Sequence, residues 1–318
     1  MMPTPMQEMI RHATLAANGH NTQPWRFAVT ERTITIHPDY SRRLPIVDPD
    51  NRELWISLGC ALENLLLAAR AAGYAPEVAY PEAADSIHVS LTSDTPHKSS
   101  LFDAIPLRQS TRSEYDGQRI EGESLDQVKA LPLEPGIAVH FVTSRDGLET
   151  VLEYVSEGNL SQYTEEAFVD ELVRWIRFNK KEALATLDGL YTRCSGNPEV
   201  PRWLGRFFVT RTSPRKQADA DARKLRSSAG AVVVASESDD KLAWVRTGQV
   251  CERLALKMTS LNIKLAFLNQ PIEVTGLRPQ LQSAMGLGAS LPQLLIRFGH
   301  AKAMPQSLRR PIEQVLIQ

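Results

Sequence analysis

Two short runs carry most of the side chains suited to gripping a ligand. The first, Asn18-Gly19-His20-Asn21-Thr22-Gln23-Pro24-Trp25-Arg26-Phe27, is polar and dense in amides, and two aromatics close it. Amides placed this way can read the edge of a planar heterocycle; the same run also reads as a helix C-cap at Gly19 followed by an Asn turn. The second, Arg108-Gln109-Ser110-Thr111-Arg112, sets two guanidinium groups and two hydroxyls within five residues. That composition suits bidentate pairing with a phosphate, and equally an exposed basic turn with Ser110 as a helix cap. Arg309-Arg310-Pro311 offers a further pair of cations, either a phosphate clamp or a solvated end. The run from Arg202 to Arg226 holds eight Lys or Arg against Asp219 and Asp221, with Trp203, Phe207 and Phe208 among them. It reads as a solvated face with amphipathic packing before it reads as a base-stacking surface.

Much chemistry is excluded by what is missing. There is no G-x-S-x-G elbow, P-loop, H-E-x-x-H or complete G-x-G-x-x-G. His37, His88 and His140 fall in expected strands as structural imidazoles, and no metal site is expected. Cys60, Cys194 and Cys251 lie far apart without C-x-x-C spacing, which reads as reduced thiols. Lys and Arg (36) nearly balance Asp and Glu (37), so the global charge points to neither nucleic acid nor membrane as a partner. The most apolar stretch, Leu54 to Ala72, is interrupted by Glu63, Asn64 and Arg70, and no apolar run follows a basic start. The expectation is a soluble, untargeted, cytoplasmic protein.

The elements that must position these runs show an internal repeat. Trp55-x3-Gly59-x3-Glu63-x-Leu65-x-Leu67 recurs without a gap as Trp244-x3-Gly248-x3-Glu252-x-Leu254-x-Leu256. In the first copy Leu54, Leu58, Ala61, Leu62, Leu65, Leu66 and Ala69 recur at helical spacing, so each copy is a helix with a buried face. Each leads to a short extended piece, Glu77 to Tyr80 or Lys264 to Leu268, and stops at a proline, Pro81 or Pro271. Further strands are expected at Arg26 to Thr30, Thr33 to His37, Ile87 to Leu91, Ile137 to Val142, Gly230 to Ala235 and Leu294 to Phe298. The stretch from about Gly147 to Arg226 has no counterpart in the first copy. It reads as an inserted, lid-like set of helices around Val151 to Val155, Glu165 to Leu187 and Ala218 to Leu225, joined by a loop at Ser195 to Pro201.

Taken together, these pieces resemble the FMN-dependent nitroreductase superfamily, most closely its tandem, single-chain Acg-like branch. That family's A-P-S-x-x-N-x-Q-P-W-x-F signature is similar to Ala16 to Phe27, with Asn21, Gln23, Pro24, Trp25 and Phe27 retained and Ala17-Asn18 in place of Pro-Ser. Its R-x-S-x-R motif is matched by Arg108, Ser110 and Arg112, and its P-I-E-G segment by Pro271-Ile272-Glu273, with Val274 for the glycine. Its closing pattern of a strand, a glycine and basic residues resembles Leu294 to Gly299 followed by Arg309 and Arg310.

The resemblance implies an α+β, nitroreductase-like fold of two fused repeats, residues 1–100 and 101–318, forming an intramolecular pseudo-dimer with a helical insertion at about 147–226. The motifs are divided between the copies as between the subunits of a family dimer, and Leu131 to Gly136 replaces the amide loop in the second copy. One complete FMN site is therefore implied, in a monomer whose higher association stays open. The implied cofactor-binding residues are Asn18, His20, Asn21, Gln23, Arg108, Gln109, Ser110, Arg112, Pro271, Ile272, Glu273, Arg309 and Arg310. The phosphate falls to the arginines and Ser110, the flavin or its ribityl chain to Asn21 and Gln23, and its reactive edge to the backbone of Glu273. No side chain is implied as acid or base, since the flavin carries the chemistry from NAD(P)H to a nitro compound, quinone or similar small acceptor. The resemblance leaves two rivals: a protein that shields FMN beneath a lid with little turnover, and a flavin-free scaffold.

Overall fold

The structure, a computed structural model, describes residues 4–80 and 85–317. Strands β1 (Trp25–Val29), β2 (Thr33–Pro38), β3 (Tyr74–Ala79) and β4 (Ile87–Ser93) form an antiparallel sheet in the order β1-β2-β4-β3. A second four-stranded antiparallel sheet contains β5 (Ile137–Val142). A two-residue pair, β6 (Ile176–Arg177) and β7 (Leu190–Tyr191), precedes the rest of it, β8 (Gly230–Ser236), β9 (Lys264–Phe267) and β10 (Leu291–Gly299). Its order is β5-β8-β10-β9, so each sheet takes its strands in the same sequence: first, second, fourth, third.

The helices are α1 (Pro5–Ala13), α2 (Arg52–Ala71), α3 (Ser100–Ala104), α4 (Gly122–Lys129), α5 (Arg145–Thr164) and α6 (Glu166–Trp175). They continue with α7 (Lys180–Thr186), α8 (Arg202–Thr210), α9 (Pro214–Arg226), α10 (Lys241–Ser260), α11 (Gln270–Glu273) and α12 (Arg278–Ala284). The two copies of the repeated motif are α2 and α10, which cross at the centre and share one core with a face of each sheet. The repeated glutamates are buried, and each meets an arginine: Glu252 with Arg108 at 2.9 Å, and Glu63 with Arg253 at 2.8 Å. A charge out of water needs such a partner, which explains a Glu inside an apolar helix. Within α2, an 18-residue window is long and apolar enough to cross a membrane, but 89% of it is buried inside the protein.

Residue pattern decides how each sheet is covered. In β4 buried and more exposed positions alternate, as in a strand with one wet face, whereas Gly230-Ala231-Val232-Val233-Val234-Ala235-Ser236 is buried throughout. The second face of β8 is covered by α5 and α9 through Leu148, Val151, Leu152, Val155 and Leu225. Both helices lie between β5 and β8, whereas β1 and β2 of the first sheet follow each other directly as a hairpin.

Some boundaries differ from expectation. β3 begins at Tyr74, ahead of Glu77, because Gly73 at φ +86° reverses the chain immediately after α2. Pro81 lies outside the described residues. The helix expected over Glu165 to Leu187 is broken: Ile176–Arg177 is drawn out to pair with Leu190–Tyr191, and Asn179 restarts a helix by accepting from the Glu182 N–H. Helix α8 lies in the basic run Arg202 to Arg226, where a helix was expected only over Ala218 to Leu225.

Candidate functional site

The segment after α1 turns into β1 through three non-glycine residues in the left-handed region, His20 (φ 47°), Asn21 (φ 54°) and Gln23 (φ 53°). Such backbone is held by its surroundings. Asn18 closes the turn, accepting from the Gln23 N–H at 2.8 Å while its amide donates to Ala16 O at 3.0 Å. Asn21 donates to Gly189 O at 3.0 Å and Leu308 O at 3.1 Å, and Gln23 donates to Leu187 O at 2.9 Å. Asn21 and Gln23 thus tie the turn to the insertion and the C-terminal segment. Arg310 belongs to the same tie: its guanidinium donates to Gln23 O at 2.9 Å and its N–H to Gln23 Oε1 at 2.8 Å.

The Arg108–Arg112 run is laid against the edge of β9, with the Thr111 N–H donating to Leu265 O at 2.8 Å. The buried Arg297 side chain donates to the carbonyls of Thr111 and Ser113 from below. Gln109 pins the C-terminal segment by exchanging two hydrogen bonds with the Met304 backbone, at 2.9 and 2.7 Å. These contacts bring Arg108, Ser110, Arg112, Arg309, Asn18 and Asn21 around one small polar hollow. The hollow opens into a deeper cavity of about 240 Å³, and Ala17, Asn18 and Arg112 line both. His20, Glu53 and Glu273 line the deeper cavity; Gln23, Pro271, Ile272 and Arg310 do not, and Pro271 and Ile272 are buried beside it.

The three arginines of the hollow are not equivalent. Arg108 Nε lies 2.9 Å from Glu252, in a charge contact too poorly aligned to be a hydrogen bond, and its guanidinium also donates to Leu15 O at 2.7 Å. Arg309 donates to the carbonyls of Thr14, Leu15 and Ala16 and to Asn21 Oδ1; burial, with Arg108 nearby, lowers its pKa to about 9, so it stays a cation at neutral pH. Arg112 has no ion pair or side-chain hydrogen bond among the described residues. Burial pulls its pKa down; Cys194 opposes this most, and Arg297 and Arg108 add smaller downward effects. A half-buried guanidinium without a protein partner, lining two hollows, is a ready site for an anion. Beside it, burial and then Arg112 lower the His20 pKa to about 4, and its Nδ1 is buried without a hydrogen-bond partner. At neutral pH His20 is an uncharged imidazole facing the cavity.

The opposite wall holds a pair of acids. Glu53, from the first turn of α2, and Glu273, from α11, are within hydrogen-bonding reach of each other. Gln162 of α5 donates to Glu273 Oε2 at 2.5 Å, and Asn269 donates to Glu53 Oε1 at 3.3 Å. Burial, and then the neighbouring Glu273 carboxylate, push the Glu53 pKa well above the ordinary range; burial also raises that of Glu273. Like charges at this spacing cannot both ionise cheaply, so the pair holds a proton. The Glu273 backbone N–H is used inside α11, donating to Asn269 O at 2.9 Å, and it is the carboxyl that faces the cavity. Cys60 and Cys251, distant in sequence, meet here from the crossing helices; contact with Cys251 and then burial hold the Cys60 thiol well above its usual pKa, so it is protonated.

Several wall residues carried no sequence signal. Glu53 reads as an ordinary acid at a helix start, and Gln162 and Tyr163 as positions on an amphipathic helix. Their place follows from α2 and α5, distant in sequence, meeting at one cavity wall. Beyond them a larger hollow of about 660 Å³ continues under the insertion, sharing Arg112, Tyr163, Leu190 and Gln270 with the cavity.

No family model matches the chain. Relatives exist along its whole length. Rv3131 of Mycobacterium tuberculosis, named as a candidate NAD(P)H nitroreductase, is 25% identical over 316 residues, covering 96% of this chain and 88% of that protein. A second candidate NAD(P)H nitroreductase of that organism, acg, is 24% identical over 331 residues, covering 98% of this chain and 94% of its own. Among solved structures, a nitroreductase-like family protein from Bacillus cereus has a TM-score of 0.41 at 13% identity, covering 69% of this chain and 96% of its own. The FMN-dependent nitroreductase NfnB of Mycobacterium smegmatis, solved with NADPH, has a TM-score of 0.39 at 13% identity, covering 64% and 88%. The fold sets helices against two antiparallel four-stranded sheets. Along nearly its whole length the chain is thus similar to proteins named as candidate NAD(P)H nitroreductases.

Proposed function

We propose that the chain binds FMN and is an oxidoreductase that moves hydride from NAD(P)H to a small acceptor, a nitro compound, a quinone or similar. The observation that carries this reading is Arg112, a half-buried guanidinium without a protein partner at the junction of the polar hollow and the deeper cavity. A phosphate-bearing planar cofactor fits both halves, with the anion among Arg108, Ser110, Arg112 and Arg309 and the ring system beside His20. FMN, when bound, supplies the two-electron chemistry. The chain's own residues do the rest. Asn18, Asn21 and Gln23 hold the turn in its left-handed form, neutral His20 offers a hydrogen bond without adding charge, and the Glu53–Glu273 pair keeps a proton at the cavity wall. Gln162 and Tyr163 of the insertion exclude water.

The whole is read as a fused pseudo-dimer, on the matching strand orders and the crossing of α2 and α10. Its second, equivalent end has lost the amide loop, and Arg253 there is taken up by Glu63 and Glu134.

A second reading, FMN held beneath a lid with little turnover, is favoured by the number of cavity-wall residues the insertion supplies, among them Asn159, Gln162, Tyr163 and Phe168. The larger hollow beyond them favours turnover, because it leaves space for a second molecule. One experiment decides. The visible spectrum of protein incubated with FMN is recorded anaerobically before and after NADPH, and then NADH. Bleaching by either nucleotide supports the oxidoreductase, a bound but unbleached flavin supports shielding, and no bound flavin overturns both.

A further inference from the structure

The insertion carries a helix turned inside out. In α8 the residue buried against the protein is Gly205, whose backbone lies so close to Phe178 that a Cβ would meet the ring at 2.1 Å. Trp203 and Phe207, one helical turn apart on the opposite side, are 72% and 50% exposed, and Phe208 beside them is 58% exposed. An amphipathic helix ordinarily buries its large apolar side chains, and exposed aromatics on one ridge mark an interaction surface.

The charge around the ridge identifies what covers it. From Arg202 to Ala218 there are Arg202, Arg206, Arg211, Arg215 and Lys216 and no acid. Arg202 and Arg206 are engaged by Glu182 and Asp170, at 2.9 and 3.6 Å, while Arg211, Arg215 and Lys216 have no ion pair among the described residues. The Arg211 guanidinium lies over the Phe207 ring, 5.2 Å from its centre, so cation and aromatic present one face. A second copy docking by the same patch would set these cations against each other. A surface of phospholipid with anionic headgroups meets both demands: the cations reach the headgroups, and Trp and Phe sit at the boundary of the acyl chains.

We propose that the ridge Trp203–Phe207, flanked by Phe208 and with Arg211, Arg215 and Lys216, docks the protein reversibly on membranes rich in anionic lipid. The global balance of charge, from which no membrane partner was expected, hides this local excess. Phe208 also lines the larger hollow under the insertion, so docking sets that hollow beside the bilayer.

The test uses the whole protein and sedimented vesicles, either of equal parts phosphatidylglycerol and phosphatidylcholine or of phosphatidylcholine alone. Binding is expected to the anionic vesicles only, and to be lost at high salt. It should come with a blue shift in tryptophan fluorescence, because Trp25 and Trp55 are already buried and Trp203 is far more exposed. Trp203→Ala with Phe207→Ala is expected to weaken binding about tenfold or more, and Arg211→Glu with Lys216→Glu to weaken it similarly, with unchanged thermal unfolding in both. Absence of binding to the anionic vesicles at low salt overturns the proposal, as does binding that the double variants leave intact. A dimer in light scattering that Trp203→Ala with Phe207→Ala dissolves would assign the ridge to a second copy, and tighter binding to single-stranded RNA than to the vesicles would assign it to nucleic acid; either result overturns the proposal.

Discussion

Gly59 and Gly248 face each other across the centre of the molecule, each where the other's helix passes. A Cβ on Gly59 would lie 2.0 Å from the carbonyl oxygen of Val245, and a Cβ on Gly248 would lie 2.0 Å from that of Ile56. Val245 and Ile56 occupy corresponding places in the repeated motif, so the contact is reciprocal, as at a two-fold interface between identical subunits. The obstacle on each side is backbone, which cannot rotate away. Gly248→Ala is therefore expected to cost about 3 kcal/mol of stability despite the better helix propensity of alanine. Gly276→Ala, with nothing within 4 Å of its Cβ, should be neutral in the same denaturant titration.

The central glycines stood out in the sequence because each sits in the same register of tryptophan, glutamate and leucine. Strand faces were legible as well: alternation in β4 and the continuous apolar run of β8 describe one wet sheet face and one doubly covered strand. Other features depend on contacts between distant segments. Nothing near Asn21 or Gln23 foretells that their amides are spent on Leu187 and Gly189, and nothing near Glu53 foretells Glu273. In α8 the aromatics at helical spacing were visible in the sequence, but their exposure was not, because spacing alone does not say which face is covered.

The arginines of the polar hollow separate ligand binding from folding. Arg112 has no partner to lose, so Arg112→Ala should leave thermal unfolding of the flavin-free protein unchanged or slightly raised. FMN affinity should fall roughly ten- to a hundredfold, the worth of one or two charged hydrogen bonds. Arg108→Ala strands the fully buried Glu252 and should cost about 3 kcal/mol before any ligand is added. Fluorescence titration with FMN beside thermal unfolding of both variants checks this, and equal destabilisation by the two would refute the distinction.

The acids of the cavity wall set a pH dependence. Burial, and the Glu273 charge beside it, raise the Glu53 pKa well above the ordinary 4.5, and burial raises Glu273 as well. A group that holds its proton more tightly in the folded state stabilises that state below its unfolded pKa and loses the advantage as pH rises through the folded one. Stability should therefore decline as pH climbs above about 4.5 through the raised values, with Asp48 and Glu252, also raised by burial, contributing in the same direction. Glu53→Gln keeps the shape without the proton and should flatten this decline, raising thermal stability at alkaline pH relative to the parent. His20 acts in the opposite sense. Its pKa, lowered to about 4, costs stability as pH falls below 6.5, and His20→Asn, which tolerates φ 47°, should soften that acid limb.

The insertion is latched to the Asn21 turn by Asp188, which pairs with Arg177 at 2.6 Å and with Arg42 from the other side of the joint. Next to it, the Gly189 N–H donates to Asn21 O at 3.1 Å, so the same loop holds the left-handed turn and the roof of the cavity. Asp188→Asn keeps the hydrogen-bonding outline but removes the charge that the buried Arg177 and the half-buried Arg42 share, a change expected to cost about 2 kcal/mol locally. Opening is then more frequent without global unfolding. Hydrogen exchange at Gly189 should accelerate, and FMN, once bound, should leave about tenfold faster. The protection of β8, buried on both faces, should be unchanged, which separates a loosened latch from a general loss of stability. Unchanged exchange at Gly189 would mean that Asn21 and Gln23, not Asp188, carry the joint, and Gln23→Ala would then be the variant that opens it.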